Sequence, residues 1–138
     1  MRFAIALVVL ATTQALADTA VTVDVAGVSR DEGQMVLTVY DSKKNWLKRG
    51  HVQAKMPVDG SDAVSFSLAL PPGEYAFHVY QDLDSNDEMK TNFIGIPKEP
   101  TGVSNDAKGK FGPPKYKDAM LVVGDEPVTV PINLTEID

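Results

Sequence analysis

Three oxygen-bearing side chains alternate along residues 82–86, and they are the side chains best placed to bind a metal ion. The sequence DxDxN formed by Asp82, Asp84 and Asn86 opens many calcium loops. Ca²⁺ takes about six to eight oxygen ligands, so residues further along must contribute. The candidate ligands are Asp82, Asp84, Asn86, Asn92 and Glu99.

The same residues have a simpler interpretation. Asp87 and Phe93 stand where an EF-hand requires glycine and glutamate. A solvated acidic turn, held by hydrogen bonds from Asx side chains to the backbone, would also use this composition. We therefore expect that Ca²⁺, if it binds, orders the segment and takes no part in a reaction.

Residues 82–118 form a long connection rich in Gly, Pro, Asn and Asp, with no regular hydrophobic period. Connections of this length in compact domains are usually functional or disordered. The apolar residues within it favour an ordered loop. Lys98, Ser104 and Asn105 are its predicted recognition surface. The expected partner is an envelope protein, a peptide or a glycan.

Few residues are suited to catalysis. Ser104 lies in G-x-S-x-D, but a nucleophile elbow requires glycine in place of Asp106. His78 falls within a predicted strand, and His51 lies in a basic loop with no obvious acid partner. We expect a non-catalytic binding module, and an extracytoplasmic hydrolase is the alternative.

Copper handling is a further alternative, because methionine and histidine are suitable ligands for copper. The methionines do not cluster in the sequence, and methionine commonly fills gaps in a core. The residues concerned are Met35, Met56, Met89, Met120, His51 and His78.

Residues 1–17 have the order of charge, apolar stretch and small residues that is typical of a secretory signal peptide. Cleavage after Ala17 would leave 18–138 as a single domain. The chain has no cysteine, so no lipid anchor at the cleavage site and no disulfide is expected. We predict a periplasmic or extracellular protein without a membrane span.

The charge of the chain argues against one class of partner. Removing the leader takes the net charge from −6 to −7, and an acidic protein is repelled by phosphate backbones. No nucleic-acid partner is expected, and we expect a monomer. The most basic stretch, 43–49, surrounds Trp46, whose side chain is predicted to plug one end of the fold.

Strand-like patterns recur along the chain, separated by turn residues. An apolar or β-branched pattern is present in segments 20–28, 34–40, 63–70, 74–81, 119–123 and 128–134. Segment 74–81 is apolar on both faces and is predicted to be central. Pro131 places the last segment at an edge or a bulge. We predict an all-β antiparallel β-sandwich, transthyretin- or immunoglobulin-like, with about seven strands.

A series of short motifs from residue 73 onward resembles a bacterial secreted family, domain of unknown function 2141. The motifs are Gly73-Glu74-Tyr75-Ala76, Asp82-x-Asp84-x-Asn86, Asn92, Gly95-Ile96-Pro97-Lys98-Glu99, Gly102-Val103-Ser104-Asn105, Gly112-Pro113-Pro114 and Asp118-Ala119. The resemblance implies a small extracytoplasmic β-sandwich and supplies no reaction. A weaker likeness is to transthyretin-like and carboxypeptidase-regulatory modules.

The chain departs from that family's pattern near the predicted cation site. Lys90 stands where the family usually has an acidic residue, and the family usually has glycine near Asp87 and at Pro100. An ammonium group at position 90 would compete with a cation for the same carboxylates.

Overall fold

The computed structural model describes residues 17–28, 33–83, 99–109 and 112–135, and these form two β-sheets packed face to face. The strands are β1 (Thr19–Ala26), β2 (Gln34–Tyr40), β3 (Val52–Pro57), β4 (Ala63–Leu70), β5 (Gly73–Asp82), β6 (Thr101–Val103), β7 (Leu121–Val123) and β8 (Val128–Asn133). A 3₁₀ turn (Ser104–Asp106) and one short helix, α1 (Tyr116–Ala119), accompany them. The predicted all-β sandwich is confirmed.

The smaller sheet has the strand order β4-β1-β8, and the larger has β3-β2-β5-β6, with β7 also paired to β5. Alternate residues of β1 point inward, since Val21, Val23 and Val25 are each no more than 1% exposed. Residues such as Leu37 and Phe77 meet them from the larger sheet. This shared apolar layer is the main source of folding free energy.

All six predicted strands are present, and two further strands, β3 and β6, were not predicted. β5 is central, as its apolar pattern indicated, because it pairs with β2, β6 and β7. β8, which contains Pro131, lies at an edge of its sheet as predicted. β3 occupies part of the connection 41–62, where alternating residues are only partly buried and give a weak strand pattern.

One pairing differs from the predicted antiparallel arrangement, because β1 and β8 run parallel. The chain crosses from β7 in the larger sheet to β8 in the smaller one, so these two strands do not form a hairpin. Parallel pairing joins segments that are distant in sequence, and no local pattern reports it.

The outer face of the larger sheet carries a second buried cluster. It consists of Tyr40, Trp46, Ala76, Val103, Tyr116 and Ala119. The indole of Trp46 packs edge-on against Tyr40, with ring centroids 5.0 Å apart. Trp46 is therefore buried on this outer face, and the prediction that it plugs one end of the sandwich is wrong.

No helix in the described ranges has the length and apolar character needed to cross a membrane.

Candidate functional site

Asp82 lies at the end of β5 and is fully buried. Gln34 is its register partner on β2. The Gln34 side-chain amide Nε2 donates a hydrogen bond to Asp82 Oδ2 over 3.0 Å. A buried carboxylate requires such donors, because removing it from water is otherwise costly.

Glu99 is brought to the same place from the far side of segment 84–98. Its side chain is 1% exposed, and the backbone N–H of Leu83 donates to Glu99 Oε2 over 2.7 Å. The N–H of Gln81 donates to the carbonyl of the next residue, Pro100, over 3.0 Å. Two buried carboxylates therefore lie where the chain leaves β5 and where it returns.

The structure describes two of the five predicted calcium ligands, Asp82 and Glu99, and the N–H of Leu83, the residue after Asp82, donates to the Glu99 carboxylate. Asp84, Asn86 and Asn92 lie outside the described residues, as does Lys98 of the predicted recognition surface. Across the described ranges, no group of three or more histidine or acidic side chains is arranged to hold a metal ion.

Ser104 is fully buried and joins three parts of the backbone. Its Oγ accepts from the N–H of Phe77 over 2.9 Å and donates to the carbonyl of Ala119 over 2.5 Å. Phe77 lies between the part of β5 paired with β6 and the part paired with β7. The hydroxyl therefore replaces strand hydrogen bonds at this gap, and the side chain does not reach the exposed surface.

Asn105 is exposed, but its amide group is also committed to the backbone. Its Nδ2 donates to the carbonyls of Asp118 and Met120 over 3.2 and 3.1 Å. Asn105 and Asp106 have left-handed backbone angles, with φ of 63° and 49°, which asparagine and aspartate tolerate better than most residues.

Asp106 fixes the other side of the same turn. Its two carboxylate oxygens accept from the backbone N–H and the side-chain Nδ2 of Asn133, over 3.1 and 2.9 Å. Because Asn133 ends β8, this pair joins the connection to the smaller sheet. The turn 104–106 is thus attached to both sheets.

The residues that follow this turn form an exposed groove of about 580 Å³. The described residues that line it are Lys108, Gly109, Gly112, Pro113, Lys115, Lys117 and Asp118. Gly112, Pro113 and Asp118 were quoted from the sequence only as family motifs, and the lysines of this groove were not selected, although the run of lysines among glycines and prolines from 108 to 117 was visible.

Trp46 joins the basic turn 43–49 to residues 114–116, which lie next to this groove in the sequence. The indole Nε1 donates to the carbonyl of Pro114 over 2.8 Å, and the indole ring lies 6.0 Å from that of Tyr116. Tyr116 itself is 8% exposed, and no described residue forms a hydrogen bond with its hydroxyl. Burial raises the pKa of Tyr116, and the charges of Glu74 and Asp41 raise it further.

The two histidines occupy different environments. His78 is half-buried on β5 beside Tyr80, with ring centroids 6.3 Å apart, and burial lowers its pKa to about 4. His51 is partly exposed, and its Nδ1 lies 3.5 Å from Asp41 Oδ2. The statement that His51 lacks an acid partner is therefore wrong, because folding brings β2 and the following turn together.

The described methionines lie in hydrophobic clusters. Met35 and Met56 face each other across β2 and β3. Met35 is fully buried in the main core, and Met56 packs against it. Met120 packs against the outer cluster, and Met89 lies outside the described residues.

The comparison with known families gives one match. The model of a family described as an uncharacterized protein conserved in bacteria, DUF2141, matches residues 23–131. Neither a curated protein nor a solved structure matches the chain. The match covers most of both sheets and the described residues of the groove.

Proposed function

We propose that this chain, which belongs to the DUF2141 family, is a non-catalytic binding module that acts outside the cytoplasm. It recognises an envelope protein, peptide or glycan through the connection 82–118, as a monomer. The observation that carries this proposal is the anchoring of residues 104–106 and 114–116, beside which exposed residues form a groove.

The anchoring supports a binding role because it lowers the cost of association. A loop that must be ordered on binding loses conformational entropy, and a loop already fixed loses less. Here Ser104 and Asp106 tie the loop to both sheets before any partner arrives. Functional loops on a rigid scaffold commonly have this arrangement.

The state of the catalytic candidates is consistent with a module that performs no reaction. The Ser104 hydroxyl is buried and occupied by backbone groups, so a substrate carbonyl would have no access to it. The Tyr75 hydroxyl beside His51 donates to the Pro71 carbonyl over 2.6 Å. Export is supported by the leader-like pattern of residues 1–17.

Photo-cross-linking tests the binding function. A benzoylphenylalanine at Gly112 has room, because an added Cβ there meets no atom of the described residues within 4 Å. Gly124, in the turn before β8, has equal room and serves as the matched control. The mature protein is irradiated in an envelope fraction of a bacterium that carries it. We expect a discrete adduct from position 112 only. Equal adducts from both positions, or none from either, would contradict the proposal.

A second candidate function is Ca²⁺ binding that orders segment 84–98. The observation that favours it is the hydrogen bond from the N–H of Leu83, next to Asp82, to the carboxylate of Glu99, which joins the two ends of the segment. A cation would also offset the charge of these buried carboxylates. Asp84, Asn86 and Asn92 would supply the remaining side-chain oxygens.

Thermal unfolding tests this candidate. We expect millimolar Ca²⁺, compared with chelator, to raise the Tm by several degrees, as a ligand of the folded state does. Asp84→Asn should remove most of that increase. Asp125→Asn, in an exposed turn, should leave it intact. An unchanged Tm in the wild-type protein rules out the site.

A further inference from the structure

We infer that the exposed cationic surface around the groove binds an acidic polypeptide segment. This inference rests on the proposed binding function and specifies the chemistry of its partner. The cationic surface is defined by Lys43, Lys44, Lys48, Arg49, Lys108, Lys115 and Lys117, all of them exposed.

Two stretches of chain that are distant in sequence meet to form this surface. Trp46 is within three residues of each cation in the turn 43–49, and Tyr116 lies directly between Lys115 and Lys117. The hydrogen bond from Trp46 to Pro114 and the ring contact with Tyr116 hold the two stretches together. The two basic stretches are therefore neighbours in the fold, and the carboxylates of Glu74 and Asp41 also act on Tyr116 from nearby.

No described acidic residue forms an ion pair with these cations. Among the described residues, the one ion pair within 4.0 Å that this region contains joins His51 to Asp41. The chain as a whole has 19 acidic residues against 13 lysines and arginines. Opposite charges were therefore abundant, yet the cationic surface remains open to solvent. Such a patch attracts an anionic partner and steers its approach.

The composition of the groove suits an acidic chain. Among the described residues, Lys108, Lys115 and Lys117 line it together with Gly109, Gly112 and Pro113, which carry no long side chain. A volume of about 580 Å³ suits a few residues of a ligand. A lysine ammonium group can donate hydrogen bonds to a carboxylate in many orientations, which suits a flexible peptide.

Asp118 distinguishes a peptide from a denser polyanion. Asp118 lines the same groove as the lysines. A polyanion with a negative charge on every unit would therefore be repelled by the Asp118 carboxylate. An acidic peptide places neutral residues and backbone N–H donors between its carboxylates, and an N–H can donate to Asp118. The groove therefore favours mixed acidic and amide chemistry.

An anionic membrane is a less suitable partner for this surface. Peripheral binding to lipid normally combines basic residues with large apolar side chains that enter the interface. Among the described residues, Val122 on β7 is the one exposed large apolar side chain. Charge alone would then have to hold the protein on the lipid.

Fluorescence anisotropy tests the inference on the mature protein. The probe is a labelled peptide in which glutamate alternates with glycine, and glutamine replaces glutamate in the control peptide. We expect saturable binding of the acidic peptide alone, weakened by salt. Polyphosphate of equal charge and vesicles of anionic phospholipid, as competitors, should displace the peptide less effectively than unlabelled peptide does.

Lys115→Gln combined with Lys117→Gln should weaken binding about tenfold, since two attractive charges are lost. Ser67→Glu combined with Thr129→Glu changes the net charge equally on the exposed face of the smaller sheet, and it should preserve the affinity within about twofold. Equal weakening by both double variants would reduce the effect to net charge and overturn the inference.

The remaining outcomes also decide the matter. Tighter binding of polyphosphate or vesicles than of the peptide would replace the peptide with that partner and overturn the inference. Absence of peptide binding together with a specific cross-link at position 112 would overturn the acidic partner and leave the binding function intact. Absence of both peptide binding and the cross-link at position 112 would overturn the acidic partner and the binding function together.

Discussion

At the residue scale, Ser104 has the clearest structural duty. Its hydroxyl satisfies the N–H of Phe77 and the carbonyl of Ala119 on the side of β5 where neither β6 nor β7 pairs with Phe77. Burying a polar backbone group without a partner costs about 1–3 kcal/mol. One hydroxyl therefore holds β5, the 3₁₀ turn and α1 in register.

Ser104→Ala should lower the free energy of unfolding by about 1–3 kcal/mol, because the Phe77 N–H loses its acceptor in the protein interior. Urea denaturation monitored by Trp46 fluorescence measures this change. Ser67→Ala, an exposed serine on β4, is the control and should change stability by less than about 0.5 kcal/mol. Equal stability of the two variants would contradict the assigned role.

His78 makes stability depend on pH. Burial gives it a pKa of about 4 in the folded protein, against 6.5 for an ordinary histidine. Between these values the unfolded chain binds a proton that the folded protein excludes. The contribution of His78 is therefore present above pH 6.5 and is lost as pH falls toward 4, with a slope of at most about 1.4 kcal/mol per pH unit.

Denaturation of wild type and of His78→Gln at several pH values between 4 and 7 measures this contribution. Carboxylates titrate in both proteins, so the difference between the two isolates the effect of His78. The difference in unfolding free energy between the two should shift against wild type as pH falls. A difference that stays constant over the range would mean that His78 titrates normally in the fold.

At the scale of elements, the short strand β6 connects the two sheets. It pairs with β5 on one side, and Thr101 exchanges backbone hydrogen bonds with Thr135 just beyond β8 on the other. Between them, Gly102 lies so close to β8 that a Cβ would be 2.5 Å from Ile132 Cγ2 and 2.8 Å from the Asn133 carbonyl oxygen. The absence of a side chain permits this junction.

Gly102→Ala should destabilise the protein by about 1–3 kcal/mol, because the added methyl group overpacks the junction. The measurement is the midpoint of thermal or urea unfolding. Gly124→Ala is a matched control, since a Cβ there meets nothing within 4 Å, and its midpoint should stay within a small margin of wild type. If the two variants unfold alike, the sheets do not meet at Gly102.

The sequence was sufficient to predict the elements that carry a hydrophobic period. The inward residues of β1, including Val21, Val23 and Val25, alternate without interruption, and β5 is apolar on both faces. β6 has only three residues, and its position depends on contacts with β8 that no local pattern encodes. β3 is only half-buried, and the charged residues that precede it obscured its weak alternating pattern in the sequence.

The site was less predictable for a related reason. Asp82 and Glu99 were selected as ligands from their side-chain chemistry, and the fold places both in the interior. Ser104 was predicted to be part of the recognition surface because of its polar hydroxyl. In the fold that hydroxyl is buried beside β5, between the segments paired with β6 and β7. Predicting the cationic surface would have required the contact between Trp46 and Pro114, which are far apart in sequence.

At the scale of the whole molecule, the described part of the connection 82–118 is a structural layer on the larger sheet. Tyr116 and Ala119 are buried against Tyr40 and Ala76 of that sheet, and Asp106 links the layer to the smaller sheet. The turn 104–106 and helix α1, which border the proposed binding surface, are therefore attached to the sandwich. We expect the affinity for an acidic partner to respond to the charges of that surface more than to the length of the connection.

Amide hydrogen exchange of the mature protein, read by mass spectrometry, tests this claim most directly. Peptides covering 101–106 and 116–123 should be protected to a degree comparable with β5, because their hydrogen bonds join the same buried cluster. Exposed residues 107–109 should exchange faster. Exchange of 101–106 and 116–123 at the rate of an unstructured chain, while β5 stays protected, would contradict the claim that this connection is a fixed binding surface.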